Sequence, residues 1–184
     1  VLFNSTPDIL PQIHNSPFLH QTKKRKTKIK AIIFNDAQID HTTGLLMLRE
    51  GCPHQVYCTK EVHEELNTSF PLFKMLEHWD GGGVIYNEIA FNKQPFFIPV
   101  MPNCEFYAVP LISNAPPYSK YRDRPRVGDN IGVVVLNKKT GKRLFYLPGL
   151  GVLEKHIIEE MAQADILLVD GTVWTNDEMI KNGF

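Results

Sequence analysis

Apolar residues form short runs that predict alternating strands and helices at both ends of the chain. The run at residues 29–34 is β-branched and predicts a buried strand, and residues 44–50 predict an apolar helix. Near the end, apolar positions at helical spacing in residues 153–161 predict an amphipathic helix. Residues 165–170 then predict a second buried strand, which ends in a carboxylate.

The middle of the chain is dominated by strand patterns. The predicted strands there are residues 84–89, 95–100, 105–111, 131–137 and 143–147. A long irregular segment with several prolines, residues 112–129, interrupts them, and loops of this length inside a domain tend to be functional. This mixed order predicts one α/β domain over residues 1–184, with two sheets and helices outside them.

Composition narrows the class of protein. The 184 residues carry 20 basic and 20 acidic side chains, so we expect no nucleic-acid partner. No run of about 18 apolar residues occurs and the start has no signal-peptide pattern, so we expect no membrane span. Three cysteines without a C-x-x-C pair predict a reducing, cytoplasmic location and no cysteine zinc site within this chain.

Polar side chains follow both predicted buried strands. Asp36, Gln38, Asp40 and His41 come after the first strand, and Asp170 ends the second. Ligands of α/β sheets bind at the carboxyl ends of strands, and carboxylate with imidazole suits a divalent metal. From the residues alone, this loop is either a metal site or a hydrogen-bonded turn.

The loop at residues 35–41 resembles the H-x-H-x-D-H loop of the metallo-β-lactamase superfamily. Asp36 and Gln38 stand where the first two histidines would be, whereas Asp40 and His41 match the motif. Asp170, which is followed by Gly-Thr, matches the late metal-bridging aspartate of the superfamily. The resemblance implies an α/β fold of four layers, the αββα sandwich.

Longer stretches resemble the family of pyrroloquinoline-quinone (PQQ) biosynthesis protein B through essentially the whole chain. They are residues 3–9, 39–51, 115–119, 128–132, 148–151 and 170–180. That family has an earlier segment with a C-x-C-x-x-C cluster that binds structural zinc, and a Gly-His motif beyond the position of Phe184. We therefore expect this sequence to lack the first strands and the last segment of the fold, and structural zinc only where such a cluster exists.

The resemblance implies a role in making PQQ from the Glu and Tyr side chains of a peptide. One role proposed for the family is metal-dependent hydroxylation of the tyrosine ring in a Glu–Tyr-derived precursor. The alternative is a non-catalytic carrier that helps to move PQQ or its precursor towards the periplasm. The implied partners are this small substrate or PQQ and other proteins of the pathway, and the oligomeric state stays open.

The departures from the superfamily motif predict the metal chemistry. The first metal site lacks its histidine pair, and the loop where a third histidine would lie reads Ile-Ser-Asn-Ala at residues 112–115. A single site made by Asp40, His41 and Asp170 is then expected, and Fe(II) suits it better than a hydrolytic zinc pair. Asp36 and Gln38 are expected to be further ligands or to orient the ligands. A conventional two-metal hydrolase is the third hypothesis.

The long irregular segment predicts where a substrate would bind. Residues 113–130 are expected to gate the site, because a polar substrate needs converging donors and acceptors. The candidate binding residues are Ser113, Tyr118, Asp129 and Asn130. The alternative for Asp129 and Asn130 is a turn that starts the following strand.

Overall fold

Eight strands form two four-stranded sheets in the computed structural model, which describes residues 1–20, 27–79, 81–91, 94–171, 175, 177–181 and 183. The first sheet has the order β1-β2-β3-β4 and is parallel throughout. Its strands are β1 (Leu2–Phe3), β2 (Ile32–Ile33), β3 (His54–Cys58) and β4 (Val84–Glu88). All its strands therefore end at the same edge.

The second sheet has the order β5-β6-β7-β8. Its strands are β5 (Cys104–Pro110), β6 (Ile131–Asn137), β7 (Arg143–Leu147) and β8 (Ile166–Val169). The first three strands are antiparallel neighbours, whereas β8 pairs in parallel with β7. The tight turn between β6 and β7 contains Gly141 at a φ of 71°, a left-handed conformation that glycine adopts without strain.

Short helices connect the strands. The α-helices are α1 (Ile9–His14), α2 (Ile39–Thr42), α3 (Lys60–Glu65), α4 (Leu72–Leu76), α5 (Lys155–Ala162) and α6 (Glu178–Lys181). Two 3₁₀ helices occupy Pro17–Leu19 and Thr43–Gly51. Among the residues described, none of these helices is long and apolar enough to cross a bilayer.

Three apolar clusters show that the layers follow the order helix, sheet, sheet, helix. Ile32 and Phe34 pack against helices on the outer face of the first sheet. Ile33 belongs to the cluster between the two sheets, together with Phe106 and Val133. Neighbouring residues on β6 again alternate, because Val134 packs with Phe145 and Ile157 of α5 on the far side. The expected αββα sandwich is confirmed.

Two predicted elements differ in the structure. The segment predicted as a helix over residues 44–50 is a 3₁₀ helix, and the N–H of Gly44 donates to the Ser5 carbonyl at 2.8 Å. This bond ties the segment to the loop after β1 and separates it from α2. The strand predicted at residues 95–100 is wrong, because pairing there is confined to a bridge between Phe96 and Phe106.

The predicted strand near the end exists, but its predicted burial is wrong. All four side chains of β8 are 42–53% exposed. The strand lies at the edge of its sheet with β7 as its neighbour, and the described part of the chain does not cover its faces. An apolar run predicts the strand conformation but does not determine which layer packs on it.

Candidate functional site

The site lies where β2 ends and β6 begins. Asp36 forms an antiparallel bridge with Asn130, and both residues are almost completely buried. Gly149, in the turn after β7, closes the same corner. A Cβ atom on Gly149 would lie 3.2 Å from Asn130 Oδ1 and 3.5 Å from Asp36 Oδ2. Glycine therefore allows this turn to approach the two polar side chains closely.

Asp36 holds the ring of His41. The Nδ1 atom of His41 lies 2.8 and 2.9 Å from the two carboxylate oxygens of Asp36. An ionised carboxylate only accepts hydrogen bonds, so Nδ1 donates and Nε2 is the nitrogen left for another partner. The backbone N–H of Gln38 also donates to Asp36 Oδ1, at 2.9 Å, and fixes the carboxylate within its own loop.

Asp40 lies on the other side of the His41 ring. Its Oδ2 atom is 3.9 Å from His41 Nε2, and its side chain is 78% exposed. A buried carboxylate that accepts from Nδ1 is the arrangement that orients histidines in metal sites. The exposed Asp40 carboxylate lies near the nitrogen that stays available. The donor types of His41 and Asp40 therefore fit a divalent cation.

Several negative charges act on His41. Burial lowers its pKa, but the hydrogen bond to Asp36 and the charges of Asp36, Asp40 and Asp170 outweigh burial and raise the pKa above 6.5. The charge of Asp170 therefore acts on the ring of His41, and Asp170 is an exposed residue directly after β8. Within the described residues, however, no three acidic, histidine or cysteine side chains are close enough to hold a metal by themselves.

Tyr118 connects the long loop to the site. Its hydroxyl donates to the backbone carbonyl of Ala37, and its ring packs beside Phe70. Burial and the charges of Glu65 and Asp36 raise the pKa of Tyr118, so the phenol keeps its hydrogen at neutral pH. The structure therefore brings Tyr118 against the loop that carries Asp36 and His41.

Asn130 holds the loop at its other end. The side-chain amide of Asn130 donates to the carbonyls of Ser113 and Asn114, both at 3.2 Å. Through this contact the structure brings the backbone of Ser113 near the site. Its side chain lies close to Gly151, and Ser113 lines a separate cavity of about 390 Å³ with Arg126 and His156.

Asp129 interacts with Arg126 and not with the candidate metal ligands. Its carboxylate accepts from the backbone N–H of Arg126 at 2.6 Å and from the guanidinium at 2.9 and 3.1 Å. The same guanidinium reaches Glu64 and Glu65 of α3, at 2.5 and 3.5 Å. Asp129 is buried and holds the loop against α3, so the structure does not present it to a ligand beside His41.

Sequence reasoning missed Tyr146 and Asn4, which border the same corner. Tyr146, on β7, accepts a hydrogen bond from Asn4 Nδ2 at 3.4 Å and meets the ring of Phe3 edge to face at 5.3 Å. Burial, followed by the charges of Asp36 and Asp170, raises the pKa of Tyr146, although the hydrogen bond from Asn4 acts in the opposite direction. Their positions at strand ends were the only indication in the sequence, since Asn4 follows β1 and Tyr146 lies near the end of β7.

Comparison with known proteins agrees with this architecture. A family model described as a beta-lactamase superfamily domain matches residues 1–183. Coenzyme PQQ synthesis protein B of Klebsiella pneumoniae subsp. pneumoniae is 53% identical over the whole chain, which covers 59% of that protein. The protein of the same name from Pseudomonas protegens is 54% identical, and the chain covers 60% of it. The chain thus spans about three fifths of the length of these curated relatives.

Solved structures show the same fold. The crystal structure of Zn²⁺-bound PqqB from Methylobacterium extorquens matches with a TM-score of 0.80 and 27% identity, over 98% of this chain and 59% of that one. Human tRNase Z, short form, matches with a TM-score of 0.59 and 15% identity, over 97% of this chain and 69% of that one. The match of the family model along nearly the whole sequence and the two-sheet architecture establish that this chain belongs to the beta-lactamase superfamily.

Proposed function

We propose that this chain carries the metal site of an enzyme of PQQ biosynthesis that hydroxylates the tyrosine ring of a Glu–Tyr-derived precursor. The proposed metal is a single Fe(II) ion, and O₂ is the oxidant. Relatives at 53–54% identity that are named Coenzyme PQQ synthesis protein B support the pathway. The crystal structure of Zn²⁺-bound PqqB from Methylobacterium extorquens supports a divalent metal.

The observation that carries the proposal is the buried contact between Asp36 and His41. Both carboxylate oxygens of Asp36 lie within hydrogen-bond distance of His41 Nδ1, at 2.8 and 2.9 Å. The role proposed for Asp36 is therefore to orient the imidazole. His41 Nε2 and the Asp40 carboxylate then offer a metal one nitrogen and one oxygen ligand. Asp170 is the proposed third ligand, supported by its electrostatic effect on His41.

The same contact argues against a two-metal hydrolase. In that chemistry two ions are bound, and the resemblance places the histidine pair of the first metal site at Asp36 and Gln38. Asp36 is 1% exposed and already bonded to His41 and to the Gln38 backbone. A carboxylate engaged in this way supports one metal ion.

The proposed reaction replaces one aromatic C–H bond by C–OH. One atom of O₂ enters the ring and the other leaves as water, and a reductant in solution such as ascorbate supplies the two electrons and two protons that this requires. When bound, the metal supplies the activation of O₂ that an organic side chain cannot provide. The chain's own residues hold the ligands in place, while Tyr118 and Asn130 hold the loop at residues 113–130 beside Ala37 and Asp36.

The proposed compartment is the cytoplasm, with other proteins of the pathway as partners. Cys52, Cys58 and Cys104 are all free thiols, and the last two are buried. Free thiols are typical of proteins from reducing compartments.

The test is mass spectrometry of a Glu–Tyr dipeptide after aerobic incubation with the complete protein, loaded with Fe(II) and supplied with ascorbate. We expect the tyrosine to gain oxygen derived from isotope-labelled O₂, and this gain to disappear in His41→Ala. Absence of oxygen gain in folded, iron-loaded protein would contradict the enzyme. Tight binding of PQQ in that sample, unaffected by a chelator, would favour the carrier.

A further inference from the structure

Tyr146 projects from the second sheet towards the first sheet, where it meets the end of β1. It pairs across the sheet with Val133, which belongs to the cluster between the two sheets, so Tyr146 points towards the first sheet. There its ring meets Phe3, the last residue of β1. Its half-buried phenol therefore lies beside the polar corner formed by the strand ends.

Asn4 determines which way the phenol hydrogen can point. Asn4 is 2% exposed and adopts a φ of 55°, a left-handed conformation that asparagine tolerates better than most residues. Its Oδ1 accepts from the backbone N–H of Asn35 at 3.1 Å. This bond fixes the orientation of the amide, so the Nδ2 group faces Tyr146 as a donor.

The phenol oxygen of Tyr146 is thus an acceptor for Asn4, and its own hydrogen is free for another group. In the described part of the chain, the hydroxyl makes this one hydrogen bond. Burial and the charges of Asp36 and Asp170 raise the pKa of Tyr146, so the phenol stays protonated at neutral pH. A buried corner with one unused donor is suited to bind an acceptor oxygen.

We propose that Tyr146 donates this hydrogen to the phenol oxygen of the substrate's tyrosine, and that Asn4 positions Tyr146 to do so. This inference rests on the proposed function. Asn4, the partner of Tyr146, is bonded to Asn35, which directly precedes Asp36, and the charges of Asp36 and Asp170 act on the phenol. This position favours the reacting end of the substrate over its distant carboxylates, because the ring that gains oxygen has to lie beside the metal ligands. Tyr146 would then select a hydroxylated ring and fix its orientation.

The test measures binding and does not depend on turnover. The probes are the Glu–Tyr and Glu–Phe dipeptides, titrated calorimetrically into the complete, zinc-loaded protein. In Tyr146→Phe, which keeps the ring contact with Phe3, we expect the dissociation constant of Glu–Tyr to rise about three- to tenfold, while that of Glu–Phe stays unchanged. Tyr107→Phe is the matched control, because that hydroxyl donates to Glu105 on the same sheet.

Asn4→Asp tests the positioning role. A carboxylate at this position can still accept from Asn35, but it would also accept the phenol hydrogen and withdraw it from the ligand. We expect Asn4→Asp to weaken Glu–Tyr binding as much as Tyr146→Phe does, relative to Glu–Phe, and the double variant to add nothing further. Dividing the dissociation constant of Glu–Tyr by that of Glu–Phe in the same variant corrects for the added negative charge, which affects both dipeptides.

Three outcomes would overturn the inference. Equal binding of Glu–Tyr by wild type and Tyr146→Phe would contradict the contact while the proposed function stands. Equal weakening of both dipeptides would show that Tyr146 does not contact the substrate phenol. Failure of the folded wild type to bind Glu–Tyr at all would contradict both the contact and the proposed function.

Discussion

At the residue scale, the arrangement of the site depends on one buried carboxylate. Asp36 is 1% exposed, and its bonds to His41 Nδ1 leave Nε2 facing Asp40. A histidine fixed in this way presents one nitrogen in one direction, so less conformational freedom is lost when a ligand binds. The proposed metal affinity therefore depends on a residue that is not itself a proposed ligand.

We predict that Asp36→Asn weakens Fe(II) or Zn²⁺ binding about 10- to 100-fold, because the amide is a poorer acceptor for the His41 ring. Competition with a chromophoric chelator gives the dissociation constant. Asp123→Asn, which changes an exposed carboxylate on the long loop, serves as the control and should leave the constant unchanged. Equal affinities in wild type and Asp36→Asn would show that Asp36 does not support the metal.

Gly149 gives a second prediction at this scale. In Gly149→Ala the new methyl would stand 3.2 Å from Asn130 Oδ1, so we expect Asn130 and Asp36 to shift and metal affinity to fall severalfold. Gly171→Ala is the matched control, because a Cβ there meets nothing within 4 Å. Chelator competition measures the metal affinity of both variants. Equal metal affinities in Gly149→Ala and Gly171→Ala would contradict the steric account.

The residues with motif spacing could be predicted from the sequence, but their contacts could not. The D-H pair and the late aspartate follow from the motif, and the structure brings Asp36, Asp40 and His41 together. Tyr146 and Asn4 are 142 positions apart, and no local pattern shows that they meet. Asp129 is a carboxylate just before β6 and was therefore a candidate for substrate binding. In the structure it forms an ion pair with Arg126 instead.

At the element scale, Arg126 is the most highly connected of the side chains that fasten the long loop to α3, where Ser119 also donates to Glu65 and Lys120 pairs with Glu64. Arg126 contacts Asp129, Glu64 and Glu65, and its guanidinium lies 3.7 Å from the centre of the Tyr121 ring. Asp129 and Glu65 are both buried, so removing the guanidinium would leave two buried carboxylates without their cationic partner, although Glu65 would keep its hydrogen bond from Ser119. The loop that carries Tyr118 and Asn130 is therefore held by electrostatics as well as by hydrogen bonds.

We expect Arg126→Ala to lower the free energy of unfolding by about 2–3 kcal/mol, below the range for a fully buried pair because the arginine is partly exposed. Urea unfolding measures this change. Arg124→Ala removes an exposed arginine from the same loop and should change stability by less than about 0.5 kcal/mol. Similar losses in the two variants would contradict the anchoring role of Arg126.

Acid should weaken this anchor. The hydrogen bond from Arg126 lowers the pKa of Glu64 below its usual 4.5, although burial acts in the opposite direction. A lowered folded pKa means that the contribution is complete above the unfolded pKa and is lost as pH falls through the folded one. The stability difference between wild type and Glu64→Gln, measured by urea unfolding, should therefore be constant above pH of about 5 and shrink below it. A difference that persists in acid would contradict this linkage.

Elements with a complete local pattern were predictable, and elements fixed by distant contacts were not. β6 and β7, with a glycine turn between them, match the predicted strands at residues 131–137 and 143–147. The 3₁₀ helix Thr43–Gly51 differs from the predicted α-helix because Gly44 bonds to Ser5, a contact between distant segments. The burial of β8 was also wrong, since burial depends on neighbours that a strand pattern does not specify.

At the scale of the whole molecule, two sheets with three apolar clusters bring the strand ends to one corner. The inter-sheet cluster sets the distance between β2, which leads to Asp36, and β6, which follows Asn130. The order of strands and helices along the chain predicts two sheets with helices outside, and the resemblance adds the four-layer αββα order. The chain spans about three fifths of its curated relatives, so the activity of the complete protein stays a proposal.

The most direct test of the central claim is the iron content of the complete protein after anaerobic loading with Fe(II) and gel filtration. We predict one iron per chain in wild type and almost none in His41→Ala, because that variant loses the imidazole that Asp36 orients. His78→Ala, at an exposed position, should keep the iron of wild type. An iron content that is the same in wild type and His41→Ala would contradict a metal site at the end of β2.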